Sequence, residues 1–290
     1  MSYAFWGIAH RDFIIMNMIS GVINIKGKVK GKNLAVISGV HGTEICGVAA
    51  IKNLLPNINI IRGTVTFIFA NEKAIRDKKR FVDKDLNRLF VKSSQLSSEQ
   101  KRSYEYQRAR ELKGILRKCN ALLDIHSSAT PKAKPFVICE PRSFKVARYL
   151  PFSIVSNGWD KIQHGGTDYF VNKNGGQGIC VECGYNFDPS AIKKAKSAVL
   201  SFLKYFGAVN GRKLTVRKQK LFTVKKMYMT KQNFKPAKHF KDFEFVKEGS
   251  LIGFDGGVPV KIKSDGGVVF VRGRTKPKEE AFLFGTPGKL

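Results

Sequence analysis

The stretch GVHGTE, Gly39 to Glu44, joins an apolar run, NLAVIS, to ICGVAAIKNLL. The run predicts a buried strand, and the segment after the stretch predicts a helix over roughly Ile45–Leu55 that Pro56 closes. A His and a Glu therefore stand where a strand hands over to a helix, the usual place for ligands in an open α/β sheet. His41 and Glu44 lie three residues apart across that turn and can converge on one point. An imidazole nitrogen and a carboxylate oxygen are both ordinary Zn²⁺ ligands.

A third ligand stands at a second strand end. ALLDI, Ala121–Ile125, reads as a core strand and runs into HSSAT, which puts His126 at its carboxyl end. His41, Glu44 and His126 supply two nitrogens and a carboxylate, with one position left for water, as in catalytic rather than structural zinc sites. Asp124, two residues earlier on the same strand face, can orient an imidazole by accepting its second N–H. The plainer reading is two unrelated polar residues at strand ends, which a chain with only five His makes less economical.

Glu182 lies in GICVECG, an apolar strand where a carboxylate is costly unless used or paired. Beside a metal it can take a proton from water and pass it to a leaving amine. Between TVTFIFA (Thr64–Ala70), a second buried strand, and a helix expected over Ser97–Lys118 lies the charged segment NEKAIRDKKRFVDKDLNRLF. It is long for a compact domain, and such loops are disproportionately functional. Arg80, Asn87 and Arg88 in it suit a substrate carboxylate and a developing oxyanion. A solvated basic loop is the alternative.

PFVICE and GICVECG are further strands, and Pro189–Phe206 is an amphipathic helix. Ser143–Leu150 reads as helix, and Ser156–Gly178 as irregular and Gly-rich. The expected fold is α/β, a mixed central sheet with helices on both faces. From about Ala208 the pattern changes to short strands with Gly-Gly and Asp-Gly turns, which predicts a small all-β C-terminal domain. The expected division is 1–207 and 208–290.

With 290 residues, 43% of them hydrophobic, the chain has the makings of a sizeable core. No apolar run is long enough to span a bilayer. Residues 1–13 lack the basic start and apolar core of a signal peptide, and the five Cys show no framework spacing, so a cytoplasmic home with reduced thiols is expected. The formal charge of +30 suggests a polyanion partner or steering of an acidic substrate. Its spread along the chain, without blocks, favours a generally Lys-rich solvated surface, so nucleic acid is not the expected partner.

In order along the chain, HGTE, DLNRLF, DIHS and the late Glu182 resemble the succinylglutamate desuccinylase/aspartoacylase family, a branch of the zinc carboxypeptidase superfamily. The match runs from roughly residue 34 to 185, and the β-rich tail fits the family's smaller C-terminal domain. The resemblance implies Zn²⁺ held by His41, Glu44 and His126, and Glu182 as the base that activates water. It implies Arg80 on the scissile carbonyl and Asn87 and Arg88 on a substrate carboxylate. The implied reaction is hydrolysis of an N-acyl amino acid. Aspartoacylases carry an Arg ten residues before the catalytic Glu; here that position is Asn172, followed by Lys173, which leaves the acyl group and amino acid open. His164 and Tyr169 lie in the same specificity region.

Two other functions compete: a metallocarboxypeptidase trimming peptide C-termini, and a polyanion-binding protein on an inactive scaffold. Whether the chain forms a homo-oligomer is open. Cys180 and Cys183 form a CxxC inside a strand, not at a helix start, and read as packing residues. Phe234–Lys247 mixes aromatic and basic residues as a strand with Phe inside and Lys outside would.

Overall fold

The computed structural model describes residues 14–16 and 19–290. The signal-peptide reading of residues 1–13 lies outside them. At the centre of the fold, Val29–Ser38 lies parallel to Arg62–Phe69 on one side and to Ala121–Ser128 on the other. Ala121–Ser128 pairs in parallel with Gln177–Tyr185. Ala121–Ser128 is buried along its whole length, as expected of a strand covered on both faces. Phe136–Cys139 then pairs antiparallel with Gln177–Tyr185 and makes the sheet mixed.

Helices cover both faces. Cys46–Leu54 and Pro189–Tyr205 bury Ile51, Val199 and Phe202 against one face, with Leu34, Val36 and Ile179 of the sheet. Tyr104–Leu116 and Thr167–Lys173 bury Leu112, Leu116 and Val171 against the other, with Ala35 and Leu122. The expected single helix over Ser97–Lys118 is two, Ser98–Lys101 and Tyr104–Leu116. Ser97 and Gln100 form a reciprocal capping box on the first. Ser103 caps the second by accepting the Tyr106 N–H at 3.1 Å, so the chain turns between them. The Gly-rich region expected to be irregular holds a strand, Ile154–Asn157, and the helix Thr167–Lys173.

The β-rich C-terminal part continues the sheet of the α/β part. Ile154–Asn157 pairs in parallel with Lys220–Met229, which pairs antiparallel with Glu280–Gly288. Gly266–Val269 and Glu244–Val246 complete a sheet of twelve strands among the described residues. A second sheet of three short strands, Phe234–Pro236, Leu251–Asp255 and Val258–Lys261, packs through Phe234 and Ile252. Phe234–Lys247 thus contributes two short strands, Phe234–Pro236 and Glu244–Val246, with Phe234 and Phe240 buried and Phe245 exposed. Cys183 packs in the core on one face of the sheet and Cys180 in the cluster on the other, so the two thiols face apart.

Candidate active site

The GVHGTE turn takes its shape from two glycines. Gly39 has φ +71, and a Cβ there would also collide with the Ile75 side chain. A Cβ at Gly42 would strike the Ala74 backbone. With both positions bare, the turn nests against the following segment: Asn71 N–H bonds to Gly39 O at 3.0 Å and Gly42 N–H to Arg80 O at 3.1 Å. Glu44 N–H closes on His41 O at 3.0 Å. His41 and Glu44 are then held, both buried, on the same side.

His126 arrives from the adjacent strand. Its Nδ1 lies 2.9 Å from Glu44 Oε2, and His41 Nδ1 lies 2.9 Å from Glu44 Oε1. Ligand atoms of His41, Glu44 and His126 all fall within 4.8 Å of one another. Although close to Glu44, His41 Nδ1 is buried without an aligned hydrogen bond. Two imidazoles and a carboxylate aimed at one point, with a buried nitrogen lone pair or proton unmatched, fit a divalent cation of the zinc type. Burial works against the charge on Glu44, but His41 and His126 hold its carboxyl well below the usual range. Burial likewise opposes charging both His, yet Glu44 and Asp85 raise His41, and Asp124 and Glu44 raise His126.

The outer imidazole nitrogens face carboxylates. His41 Nε2 is 3.0 Å from Asp85 Oδ1 and also 3.0 Å from Arg80 Nη2. One nitrogen cannot donate to the first and accept from the second. The carboxylate is the stronger partner for an Nε2–H, and that tautomer leaves Nδ1 free for a metal. His126 Nε2 is 3.1 Å from Asp124 Oδ2 but off the hydrogen-bond direction, and the same carboxylate oxygen accepts Thr167 Oγ1–H. Asp124 stands beside His126 but accepts from Thr167 rather than from the imidazole N–H expected of it; Asp85 was missed. Its signal was local, since in DLNR its side chain accepts the Asn87 N–H at 2.9 Å and opens the turn Leu86–Arg88.

Glu182 stands directly across from His126 in the parallel register. Its Oε2 is buried and has no hydrogen-bond partner. Burial, then the negative Glu44, push its pKa up to about 7, against the pull of His126 and Arg272. Such a carboxylate exchanges protons near neutrality, as a general base must.

Seven of the residues singled out in the sequence line one cavity of about 690 Å³: His41, Glu44, Arg80, Asn87, Arg88, His126 and Glu182. Arg80 donates to Glu44 Oε1 at 3.0 Å. Asn87 has a buried Oδ1 without a partner. Arg88 is not free: its Nη2 contacts Glu280 Oε1 at 2.9 Å and Oε2 at 3.0 Å, and Gln163 donates to the same carboxylate at 2.7 Å. The C-terminal part also contributes Arg272, Arg274 and Lys278 to the wall, none of which a local motif marks. Asn172 does not line the cavity; it donates to Asp160 at 3.0 Å and accepts the Gly178 N–H at 2.8 Å. His164 and Tyr169 stack on each other, ring centroids 5.0 Å apart, and also stay out of the lining.

Residues 30–206 match the model of the succinylglutamate desuccinylase/aspartoacylase catalytic domain. Over 132 residues the chain is 30% identical to a probable aspartoacylase of a Nostoc species, covering 42% of this chain and 44% of the relative. Over 98 residues it is 37% identical to a succinylglutamate desuccinylase of Pseudoalteromonas atlantica, covering 32% of this chain and 28% of the relative. The chain thus spans less than half the length of either curated relative it matches. The crystal structure of a succinylglutamate desuccinylase from Vibrio cholerae superposes with a TM-score of 0.76 over 93% of this chain and 85% of that one, at 17% identity, a likeness of fold.

Proposed function

The chain belongs to the succinylglutamate desuccinylase/aspartoacylase family, and on that footing we propose that it hydrolyses the amide bond of an N-acyl amino acid with a single Zn²⁺ held by His41, Glu44 and His126. The observation that carries this reading is the Glu182 carboxylate, buried at Oε2 without a partner and across from His126 in the same cavity. A bound zinc ion supplies Lewis acidity and lowers the pKa of water towards ~7.

The chain's own residues do the rest. Glu182 takes the proton of the attacking water at its free Oε2 and delivers it to the leaving nitrogen. Arg80 offers guanidinium N–H groups to the carbonyl oxygen as negative charge develops there. Asp85 keeps the His41 imidazole turned with Nδ1 inward, and the Asp124 charge stands beside His126 Nε2. Asn87 and Arg88 face the substrate from the loop. Arg272, Arg274, Lys278, Glu279 and Glu280 line the same cavity, and the cations among them suit a small acylated amino acid.

We keep 1–207 and 208–290 as the proposed catalytic and accessory parts, the second lending residues to the first part's cavity. Among the described residues no helix is long and apolar enough to cross a membrane. The cytoplasmic assignment is likewise a proposal, motivated by five unpaired Cys.

The test is a hydrolysis screen of N-acetyl and N-succinyl amino acids against short peptides, with zinc added and the metal content measured. Release of free amino acid from an N-acyl substrate is expected. Trimming of peptides with no N-acyl turnover would transfer the assignment to a carboxypeptidase. Salt-sensitive nucleic-acid binding without bound metal would replace it with the polyanion-binding scaffold.

A further inference from the structure

The positive charge that is spread along the sequence is segregated in the fold. Seven of the chain's 22 Asp and Glu line the active-site cavity, against five of its 52 Lys and Arg. That cavity lies at the carboxyl ends of the parallel strands, where Val29–Ser38 runs into His41 and Ala121–Ser128 carries His126. The amino ends are the reverse. From residue 14 to residue 71 the one acidic residue is Glu44, and residues 189–241 hold 15 Lys and Arg with no Asp or Glu. The two spans meet at the amino edge, where Ile61, just before Arg62–Phe69, donates its N–H to Ala208 O at 2.9 Å, just after Pro189–Tyr205. Val29–Ser38 is ten residues long, so roughly 30 Å separates this edge from the metal ligands.

Two cationic features lie there. The first is the ribbon KGKVKGK, Lys26–Lys32. A Cβ on Gly27 would strike the Arg62 backbone nitrogen, and one on Gly31 would strike Arg62 Cγ and the Gly63 nitrogen. The two glycines let the ribbon press on residues 61–63, with Gly27 N–H on Gly63 O at 2.8 Å. Lys28, Lys30 and Lys32 are left exposed, as is Arg62. The second feature is a pocket of about 370 Å³ whose wall includes Tyr149, Tyr205, Lys204, Arg212 and Lys213 and no carboxylate. The half-buried Tyr149 and Tyr205 rings meet at 5.5 Å. The segment carrying Arg212 and Lys213 is pinned by Arg217 N–H on Arg148 O at 2.8 Å and by Gln219 Nε2 on Ala147 O at 2.9 Å. Among the described residues none of these cations forms an ion pair.

Cations without a carboxylate partner are open to phosphates, and neutralising phosphates releases the counterions of the strand. Aromatic rings beside them offer stacking faces to a base. We propose that this edge binds single-stranded nucleic acid, with successive phosphates on the ribbon and Arg62 and a base in the Tyr149–Tyr205 pocket. A bilayer surface does not enter a pocket, and a single phosphate leaves one of the two features unused. The site stands apart from the hydrolytic cavity and does not depend on its chemistry.

The experiment titrates the full chain into a fluorescein-labelled oligoadenylate of about 12 nucleotides, read by anisotropy. With about four to six phosphate contacts, raising salt from about 50 to 200 mM should weaken binding roughly 50- to 300-fold. Lys28→Glu, Lys30→Glu and Lys32→Glu together should raise Kd about 10-fold or more, and so should Arg212→Glu with Lys213→Glu. The control carries the same charge change on the three-stranded sheet and beside it, at Lys247, Lys261 and Lys263, and should shift Kd by less than about threefold. Tyr149→Leu should weaken oligoadenylate roughly 5- to 100-fold while leaving a polyphosphate of similar length within about threefold. Turnover of N-acetyl amino acids by the ribbon triple should stay at the wild-type level. If that triple loses turnover as well as binding, its fold is disturbed, and Lys30→Ala alone decides, by lowering the salt slope by about 0.7 or leaving it unchanged. Equal weakening by the control triple would reduce the binding to bulk charge and overturn the proposal. Polyphosphate or phosphatidylglycerol vesicles bound as tightly as the oligoadenylate, with Tyr149 indifferent, would overturn it too, as would no binding of oligoadenylate at the lower salt.

Discussion

The carboxylate of Glu105, fully buried in the helix Tyr104–Leu116, accepts the backbone N–H of Val82 at 2.6 Å. The same carboxylate takes Asp83 N–H at 3.1 Å, Lys84 N–H at 3.0 Å and the Asn71 amide at 3.1 Å. One buried carboxylate thus gathers the segment between Arg80 and Asp85, whose side chains both reach His41. Gln is no substitute, because its NH₂ would confront backbone N–H donors where Glu presents a second oxygen. Glu105→Gln should cost roughly 3 kcal/mol of stability, about 6–12 °C in Tm for a domain of this size, and lower kcat with metal content retained. An unchanged melting curve together with unchanged activity would remove Glu105 from the loop's support.

How far sequence carries the reading depends on chain separation. His41, Glu44, His126 and Glu182 were legible because each sits at or near the end of an apolar run, and parallel strands deliver such ends to one edge. Arg272 meets Ser128 across 144 residues, and Glu280 meets Arg88 across 192. No periodicity encodes such a meeting, which depends on Lys220–Met229 pairing with Ile154–Asn157. Apolar runs located most strands, yet they carry no information about which edge accepts the next strand. The all-β tail adds most of its strands to that same sheet. The helix Thr167–Lys173 was hidden because it has only seven residues between Gly165-Gly166 and Gly175-Gly176, too few to show a period.

Glu182→Gln should keep the metal and lose catalysis, by about 10²- to 10⁴-fold in kcat. For the wild type, kcat/KM should fall on the acid side as Glu182 protonates. Without metal that carboxylate titrates at about 7. A cation at the neighbouring ligands favours the ionised form, so the limb of the loaded enzyme should lie below that value. Direct titration of the metal-free chain and a pH–rate profile of the loaded one measure the two. A Glu182→Gln enzyme working at the wild-type rate would end the assignment of Glu182 as base.

Asp85 faces the outer nitrogen of His41. Replacing it with Asn removes the anion that favours an Nε2–H and Nδ1 turned inward. Asp85→Asn should weaken zinc affinity about 10- to 100-fold, read by competition with a chromophoric chelator, while the fold is kept. Ala at His41 or His126 removes a ligand outright and should leave the purified chain without stoichiometric metal. Full metal retention in either Ala variant would place the ion elsewhere.

Asp168, which lines the cavity, gives a pH prediction independent of turnover. Burial first, then Asp160 and Asp124, push its pKa from the ordinary 3.8 to about 7. Between those values the folded chain holds a proton that the unfolded chain has released. Stability therefore declines as pH rises through that window, and the contribution of Asp168 is lost by the time pH passes about 7. Asp168→Asn keeps the shape without the charge. Its Tm should match the wild type near pH 4 and exceed it above pH 7, a gain of at most ~4 kcal/mol for a shift of about three pKa units. Parallel Tm–pH curves for the two chains would show that Asp168 stays ionised in the fold and that the acidic side of the cavity is solvated.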